Sequence, residues 1–215
     1  MPLTHILFDN DGVLVDTEKL YFQACQEALV PLGVRLTHEL FGEYSLTRGV
    51  SCFEIAIERG HLERSDLDPL RVQRDDRFAE LIRMSDCTMP GAASVVAQLA
   101  QTHSLGVVTS AKRHHFEASH AKGQMARHFR FSYAREDYTR SKPHPDPYLA
   151  ALKGQGLEAD DCIVVEDSPR GLQAALAAGL RCIVIPNPFA PTRAFAGALA
   201  KLESVGELPS ALRAL

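Results

Sequence analysis

The chain has 215 residues, 46% of them hydrophobic and 23% charged, with a net charge of −4 and a pI near 6.1. This is the balance of a globular chain, long enough for one generous domain or a core domain carrying a small insertion. It excludes the basic footprint of a nucleic-acid binder and the polybasic patch of a membrane-surface protein, and no stretch is apolar for long enough to span a bilayer.

The first residues, Met1-Pro2-Leu3-Thr4-His5, run straight into a strand-like segment with no basic region, apolar run and cleavage site, so a cytoplasmic location is expected. Ile6-Leu7-Phe8 ends abruptly in Asp9-Asn10-Asp11-Gly12, the pattern of a buried strand entering an acidic loop. From about Glu18 to Cys87 the segments are charge-rich and helix-like, with no convincing strand. Glu18–Leu32 is amphipathic with Gly33 as its stop, and Phe53–Arg59 is a shorter candidate. Pro69–Met84 is longer, with Asp68 a candidate cap before Pro69 at the first helical position. Residues 18–87 are therefore expected to form a helical insertion, with 1–17 and 88–215 forming the core.

After the insertion, helix and strand alternate. Ala92–Gln101, Pro147–Gln155 and Gly171–Ala178 read as helices, the last stopped by Gly179, and Leu105–Val108, Cys162–Val165 and Cys182–Ile185 as strands covered on both faces. The proline-rich loop Pro186–Pro191 follows the last of these. The pattern predicts an α/β fold with a mostly parallel sheet. The five cysteines, Cys25, Cys52, Cys87, Cys162 and Cys182, form no CxxC pair and read as ordinary thiols.

Four segments carry chemistry, and each follows a predicted strand, so all can converge at the carboxyl edge of one sheet. In Asp9-Asn10-Asp11-Gly12, residues two apart on extended backbone point the same way, so two carboxylates share one small volume. One can attack an electrophile or hold a metal while the other handles a proton. A calcium loop is rejected because Val13, Leu14 and Val15 stand where further oxygen ligands belong. Thr109-Ser110 offers hydroxyls at a strand end, Lys142 sits in a proline-stiffened loop, and Glu166-Asp167 places adjacent acids straight after a buried strand. Oxygen ligands from Asp9 and Asp167 suit a hard cation such as Mg2+. Taken singly, each has a plain reading as a solvated turn, a helix cap or a surface lysine.

Together, Asp-x-Asp-Gly-Val-Leu-x-Asp-Thr from Asp9, Thr109 after a hydrophobic strand, Lys142-Pro-x-Pro-Asp and Glu166-Asp167-Ser168-x-x-Gly171 resemble the four ordered motifs of the haloacid dehalogenase-like superfamily. The resemblance runs from the first strand to Ala178 and points to the subgroup of β-phosphoglucomutase and sugar-phosphate phosphatases. It implies a Rossmann-like doubly wound parallel sheet with a helical cap inserted after the first strand. It further implies a Mg2+-dependent phosphatase acting on a small phosphomonoester, a sugar phosphate or sugar-acid phosphate, through an aspartyl-phosphate. Asp9 would be the nucleophile and Asp11 the general acid and base. Mg2+ would be held by the Asp9 carboxylate, the Asp11 backbone carbonyl and Asp167, with Glu166 a ligand through water or a support. Thr109, Ser110 and Lys142 would hold the phosphoryl group.

Departures separate the alternatives. A dehalogenase lacks the second aspartate, which Asp11 supplies. The mutase carries a cap histidine where Tyr21 stands and an arginine where Cys52 follows Gly49-Val50-Ser51, so simple hydrolysis is expected over a β-phosphoglucomutase-like reaction. Phosphonatase chemistry needs a cap lysine for which Lys19 is no good candidate. A non-enzymatic phospho-acceptor module is shorter and carries its aspartate on a later strand, and no Gly-x-x-x-x-Gly-Lys loop of a P-loop kinase occurs. Tyr21 and Arg48 are substrate-contact candidates, Arg48 for a second anionic group. His114, His115, His120 and His128 are expected to be solvated or packed rather than metal ligands. The expected partner is a small phosphorylated metabolite, with no nucleic acid or membrane, and the chain is taken as a monomer.

Overall fold

The structure is a computed structural model describing residues 3–189 and 195–215. The apolar runs become strands because both their faces are covered. In β1 (His5–Phe8), Ile6, Leu7 and Phe8 are wholly buried, and the alternation of side chains sends Ile6 and Phe8 into one layer and Leu7 into the other. The other strands are β2 (Ser104–Val108), β3 (Phe129–Tyr133), β4 (Cys162–Glu166), β5 (Arg181–Val184) and β6 (Ala200–Lys201). They form one six-stranded sheet in the order β3-β2-β1-β4-β5-β6, with every pairing parallel. This is the α/β fold with a parallel sheet expected from the alternation, in the doubly wound form that the family resemblance implied.

Crossovers run through α5 (Ala92–Leu99), α6 (Arg113–His120), α7 (Asp146–Gln155) and α8 (Pro169–Ala177), and the described chain ends near α9 (Leu208–Arg213). The chain leaves β1 toward β2 on one side and reaches β4 on the other, so the strand order reverses between β1 and β4, where open sheets bind ligands.

Residues 18–84 form α1 (Glu18–Leu29), α2 (His38–Phe41), α3 (Glu54–Glu58) and α4 (Leu67–Met84), with a wide π-type turn over Gly42–Thr47. They enclose an apolar cluster of their own around Leu29, Phe41, Phe53 and Ile55. Helix α1 passes into a tighter turn at Val30 and stops at Gly33, whose φ is +69°. Asp68 is not the cap of α4. The helix begins at Leu67, and Pro69 sits in its first turn, where a missing N–H costs nothing. β3 and β6 were not predicted because they are the sheet edges. β3 is only half-buried, with Arg130 exposed, and β6 has two residues. Residues 190 and 191 of the proline-rich loop lie outside the described residues. Among the described residues no helix is long and apolar enough to cross a membrane.

Candidate active site

The strand register sets the first distances. Phe8 lies opposite Val107 and Val165, so Asp9, the next residue, emerges between the carboxyl ends of β2 and β4, and its N–H donates to the Val165 carbonyl at 2.8 Å. The turn that follows needs glycine at position 12. Its φ is +79°, and a Cβ there would overlap the Asp167 carboxylate. Asp9, Glu166 and Asp167 each offer a carboxylate oxygen within 4.8 Å of the others, and all three are buried.

Lys142 reaches this cluster from the loop before α7. It is 4% exposed, and its Nζ donates to Asp9 Oδ1 at 2.7 Å and the Val108 carbonyl at 2.9 Å, and lies 2.7 Å from Glu166 Oε1. Glu166 is fully engaged: Tyr148 also donates to Oε1 at 2.7 Å, while Oε2 accepts from the Asp167 N–H at 3.2 Å and Ser168 Oγ at 3.3 Å. Gly171 lets α8 start against that carboxyl, because a Cβ would overlap it. Ser168 caps α8 by accepting the Gly171 N–H at 3.1 Å.

Asp11 faces differently. Its carboxylate accepts from Thr17 and, at 3.2 Å, from Thr109 Oγ1, so it stands outside the three-carboxylate cluster. Thr109 in turn accepts the Ala111 N–H at 3.0 Å, which commits its hydroxyl to the loop and to Asp11. The Ser110 hydroxyl is buried with no hydrogen-bond partner among the described residues and lines the adjoining cavity.

That cavity, about 650 Å³, lies between the helical segment and the sheet edge. Tyr21 lines it, its ring against Phe78 and beneath the Arg74 guanidinium at 5.0 Å. Arg48 does not. It pairs with Glu58 at 3.0 Å and covers the Tyr44 ring on the outer surface, a correction to the substrate contact expected from the sequence. Arg71, Arg74, Lys112, Arg135 and Arg170 line the cavity, five cations against the three carboxylates Asp11, Glu18 and Asp75. Arg74 is 8% exposed and held by Asp75 through Nε at 3.0 Å and Nη2 at 2.6 Å, and Lys112 joins the same carboxylate at 2.7 Å. Sequence reading passed over Glu18, Arg74, Tyr148 and Asn187. Glu18 directly follows Asp16-Thr17 and was legible; Arg74 looks like its neighbours Arg71 and Arg77 until the helix is docked. His115 and His120 are buried against Phe78 and Phe116, His114 is exposed, and none joins the carboxylate cluster.

Burial lifts the Asp9 carboxyl to about 7, with Lys142 opposing and the charges of Glu166 and Asp11 adding. Burial and the Asp11 charge lift Glu18 to about 8, with Arg170 opposing, and its Oε2 has no partner among the described residues. Asp167 is driven well above the carboxylate range by burial and by Asp9 and Glu166. Burial alone would lower Lys142, but Asp9 and Glu166 hold it above its ordinary value. So much buried negative charge against one buried lysine, all of it on hard oxygen donors, fits a divalent cation. The second oxygen of Asp167 receives no hydrogen bond from the described residues, which leaves a position open to a ligand.

Acids whose folded pKa is raised hold protons that the unfolded chain has lost, so stability falls as pH climbs toward the folded value. Cation-free protein is therefore expected to show a lower Tm at pH 8 than at pH 6.5, as Asp9 and Glu18 ionise. Added Mg2+ should raise Tm more at pH 8. Differential scanning fluorimetry checks this, and a Tm rising steadily across the interval without cation would contradict it.

Comparison with known proteins places this geometry. The sequence model described as haloacid dehalogenase-like hydrolase matches residues 6–185. The chain is similar to CbbY of Cereibacter sphaeroides, 34% identical over 94% of this chain and 93% of that protein. It is also similar to (DL)-glycerol-3-phosphatase 2 of Arabidopsis thaliana, 25% identical over 86% of this chain and 80% of the other. Its structure resembles a mutant CbbY from Rhodobacter sphaeroides in complex with xylulose-(1,5)bisphosphate, with TM-score 0.77, 30% identity and 96% of each chain covered.

Proposed function

Because this chain belongs to the haloacid dehalogenase-like hydrolases and is a phosphoric monoester hydrolase among them, we propose that it is a Mg2+-dependent phosphatase working through an aspartyl-phosphate on Asp9. The observation that carries this reading is Lys142, buried 2.7 Å from both Asp9 and Glu166 at the mouth of the switch point. A lysine held there as a fixed positive point offsets the repulsion between the attacking carboxylate and a phosphate dianion.

Residues 18–87 act as a cap that closes the cavity and excludes water from the first step. Asp9 attacks phosphorus with its unbonded oxygen while Lys142 holds the other. Asp11, oriented by Thr17 and Thr109, gives a proton to the leaving alkoxide and then takes one from the water that cleaves the acyl phosphate. Ser110 donates its hydroxyl to a phosphoryl oxygen. The residues that would hold Mg2+ are Asp9, Asp167 and the Asp11 backbone carbonyl, with Glu166 serving Lys142 and Asp167 rather than the ion. When bound, the cation supplies positive charge opposite the transferring phosphoryl group.

The cation-rich cavity favours a small substrate with a second anionic group, a sugar bisphosphate or sugar-acid phosphate, held by Arg74. The test is phosphate release from a panel of phosphomonoesters with and without Mg2+, in wild type and Arg74→Ala. Release should require the cation. Arg74→Ala should raise KM about tenfold for doubly anionic members and leave singly anionic ones within about twofold, the scale of one charged hydrogen bond. A broad panel giving no release in Mg2+ would overturn the phosphatase reading, and an equal KM rise for all members would overturn the role of Arg74.

A further inference from the structure

Asn187 lies after β5, outside every motif recognised in the sequence, yet it is 4% exposed and its polar groups face in two directions. Toward the sheet edge, its N–H donates to the Asp167 carbonyl at 3.0 Å and its Nδ2 donates to Asp167 Oδ2 at 2.6 Å. Toward the helical segment, its Oδ1 accepts the Phe189 N–H at 3.0 Å. Phe189 enters the aromatic cluster of the cap. Its ring stacks on Phe22 at 5.9 Å and 13° and meets His38 edge-on at 4.8 Å and Phe41 at 5.4 Å. Its carbonyl lies so close to Gly42 that a Cβ there would overlap it.

We propose that Asn187 is a positioning residue for the Asp167 carboxylate and that Asn187-Pro188-Phe189 forms a strap coupling cation binding to cap seating. The inference rests on the proposed cation site. On one side, Asp167 Oδ2 is pinned between Asn187 and the backbone at Gly12, so the carboxylate presents one oxygen in a fixed direction. Groups that orient a ligating carboxylate commonly shift metal affinity 10- to 100-fold when removed. On the other side, a ring wedged among Phe22, His38 and Phe41 moves with the cap, and two hydrogen bonds carry its position to Asp167. Coupling of this kind is reciprocal: a seated cap favours the cation and the cation favours a seated cap. The strap makes the cation site complete when the cavity above it is closed.

The test uses Mg2+ alone as probe on the full chain, with no substrate and no turnover. By isothermal titration calorimetry, Asn187→Ala should weaken Mg2+ binding about tenfold or more. Phe189→Ala touches no ligand and should still weaken it about threefold, within the range of couplings carried through packed networks. In hydrogen exchange, Mg2+ should increase protection of residues 22–41 in wild type and not in Phe189→Ala. If Phe189→Ala does not fold, Phe22→Ala removes the opposite ring from the cap side and should give the same pair of changes. Wild-type affinity in both aromatic variants, or cap protection indifferent to Mg2+ in wild type, overturns the strap and leaves the cation site standing. Absence of any Mg2+ binding by wild type overturns the strap and the cation reading together, while phosphate release is read separately.

Discussion

Asp9→Asn should lower kcat for phosphate release by at least about a thousandfold, the scale on which removal of a nucleophile registers. The substitution changes one oxygen into an amide nitrogen in a residue 7% exposed at the end of β1, so the backbone bond to Val165 and the volume at the site persist. What disappears is the charge and the attacking oxygen. The fold is not expected to suffer. Asp9 and Asp167 are buried acids that burial and mutual repulsion lift, and removing the Asp9 charge relieves Asp167. Cation-free Asp9→Asn should accordingly match or exceed wild type in Tm at pH 8. Steady-state phosphate release and thermal melts check both halves. A variant that keeps roughly a tenth of wild-type turnover, a barrier change near 1.4 kcal/mol, would sink Asp9 as the nucleophile.

Lys142→Met should lose activity on a comparable scale and, unlike Asp9→Asn, lose stability. Methionine fills the space of the lysine stem but leaves Asp9 and Glu166 without their buried counter-charge. Breaking a buried pair from one side costs about 3–5 kcal/mol, and here the lower figure applies because Asp9 can take up a proton instead. For a chain of this size that is a fall of roughly 10 °C in Tm. Lys142→Arg should not rescue turnover. The ammonium serves three convergent acceptors, on Asp9, Glu166 and Val108, from a point, and a planar guanidinium cannot reproduce that arrangement in a site so enclosed. Melting curves and phosphate release on both variants decide it. A Lys142→Met protein with wild-type Tm would show that the lysine is not the counter-charge described.

The parallel sheet and the place of the paired acids Asp9 and Asp11 were legible from local pattern alone. An apolar run ending in paired acids leaves little freedom, because a strand buried on both faces must deliver its next polar residue to the sheet edge. The edge strands β3 and β6 lacked that signature, being half-covered or two residues long. Lys142 and Glu166 were legible as charged residues after turns or strands, but not that one lysine sits between two carboxylates.

What the sequence by itself determined is therefore a set of candidate residues, Asp9, Asp11, Thr109, Ser110, Lys142, Glu166 and Asp167, placed at strand ends of a parallel α/β frame. Tertiary structure alone decided which partners they meet and what surrounds them. It turned Asp11 toward Thr17 and Thr109, sent Arg48 outward to Glu58, and brought Arg74 over Tyr21. It also linked Asn187 to Asp167 across 20 residues. The physical reason is one of range. Strand and turn preferences act over a few residues, whereas the direction a charged side chain takes depends on partners brought to it from distant segments, and those exist only once the layers have packed.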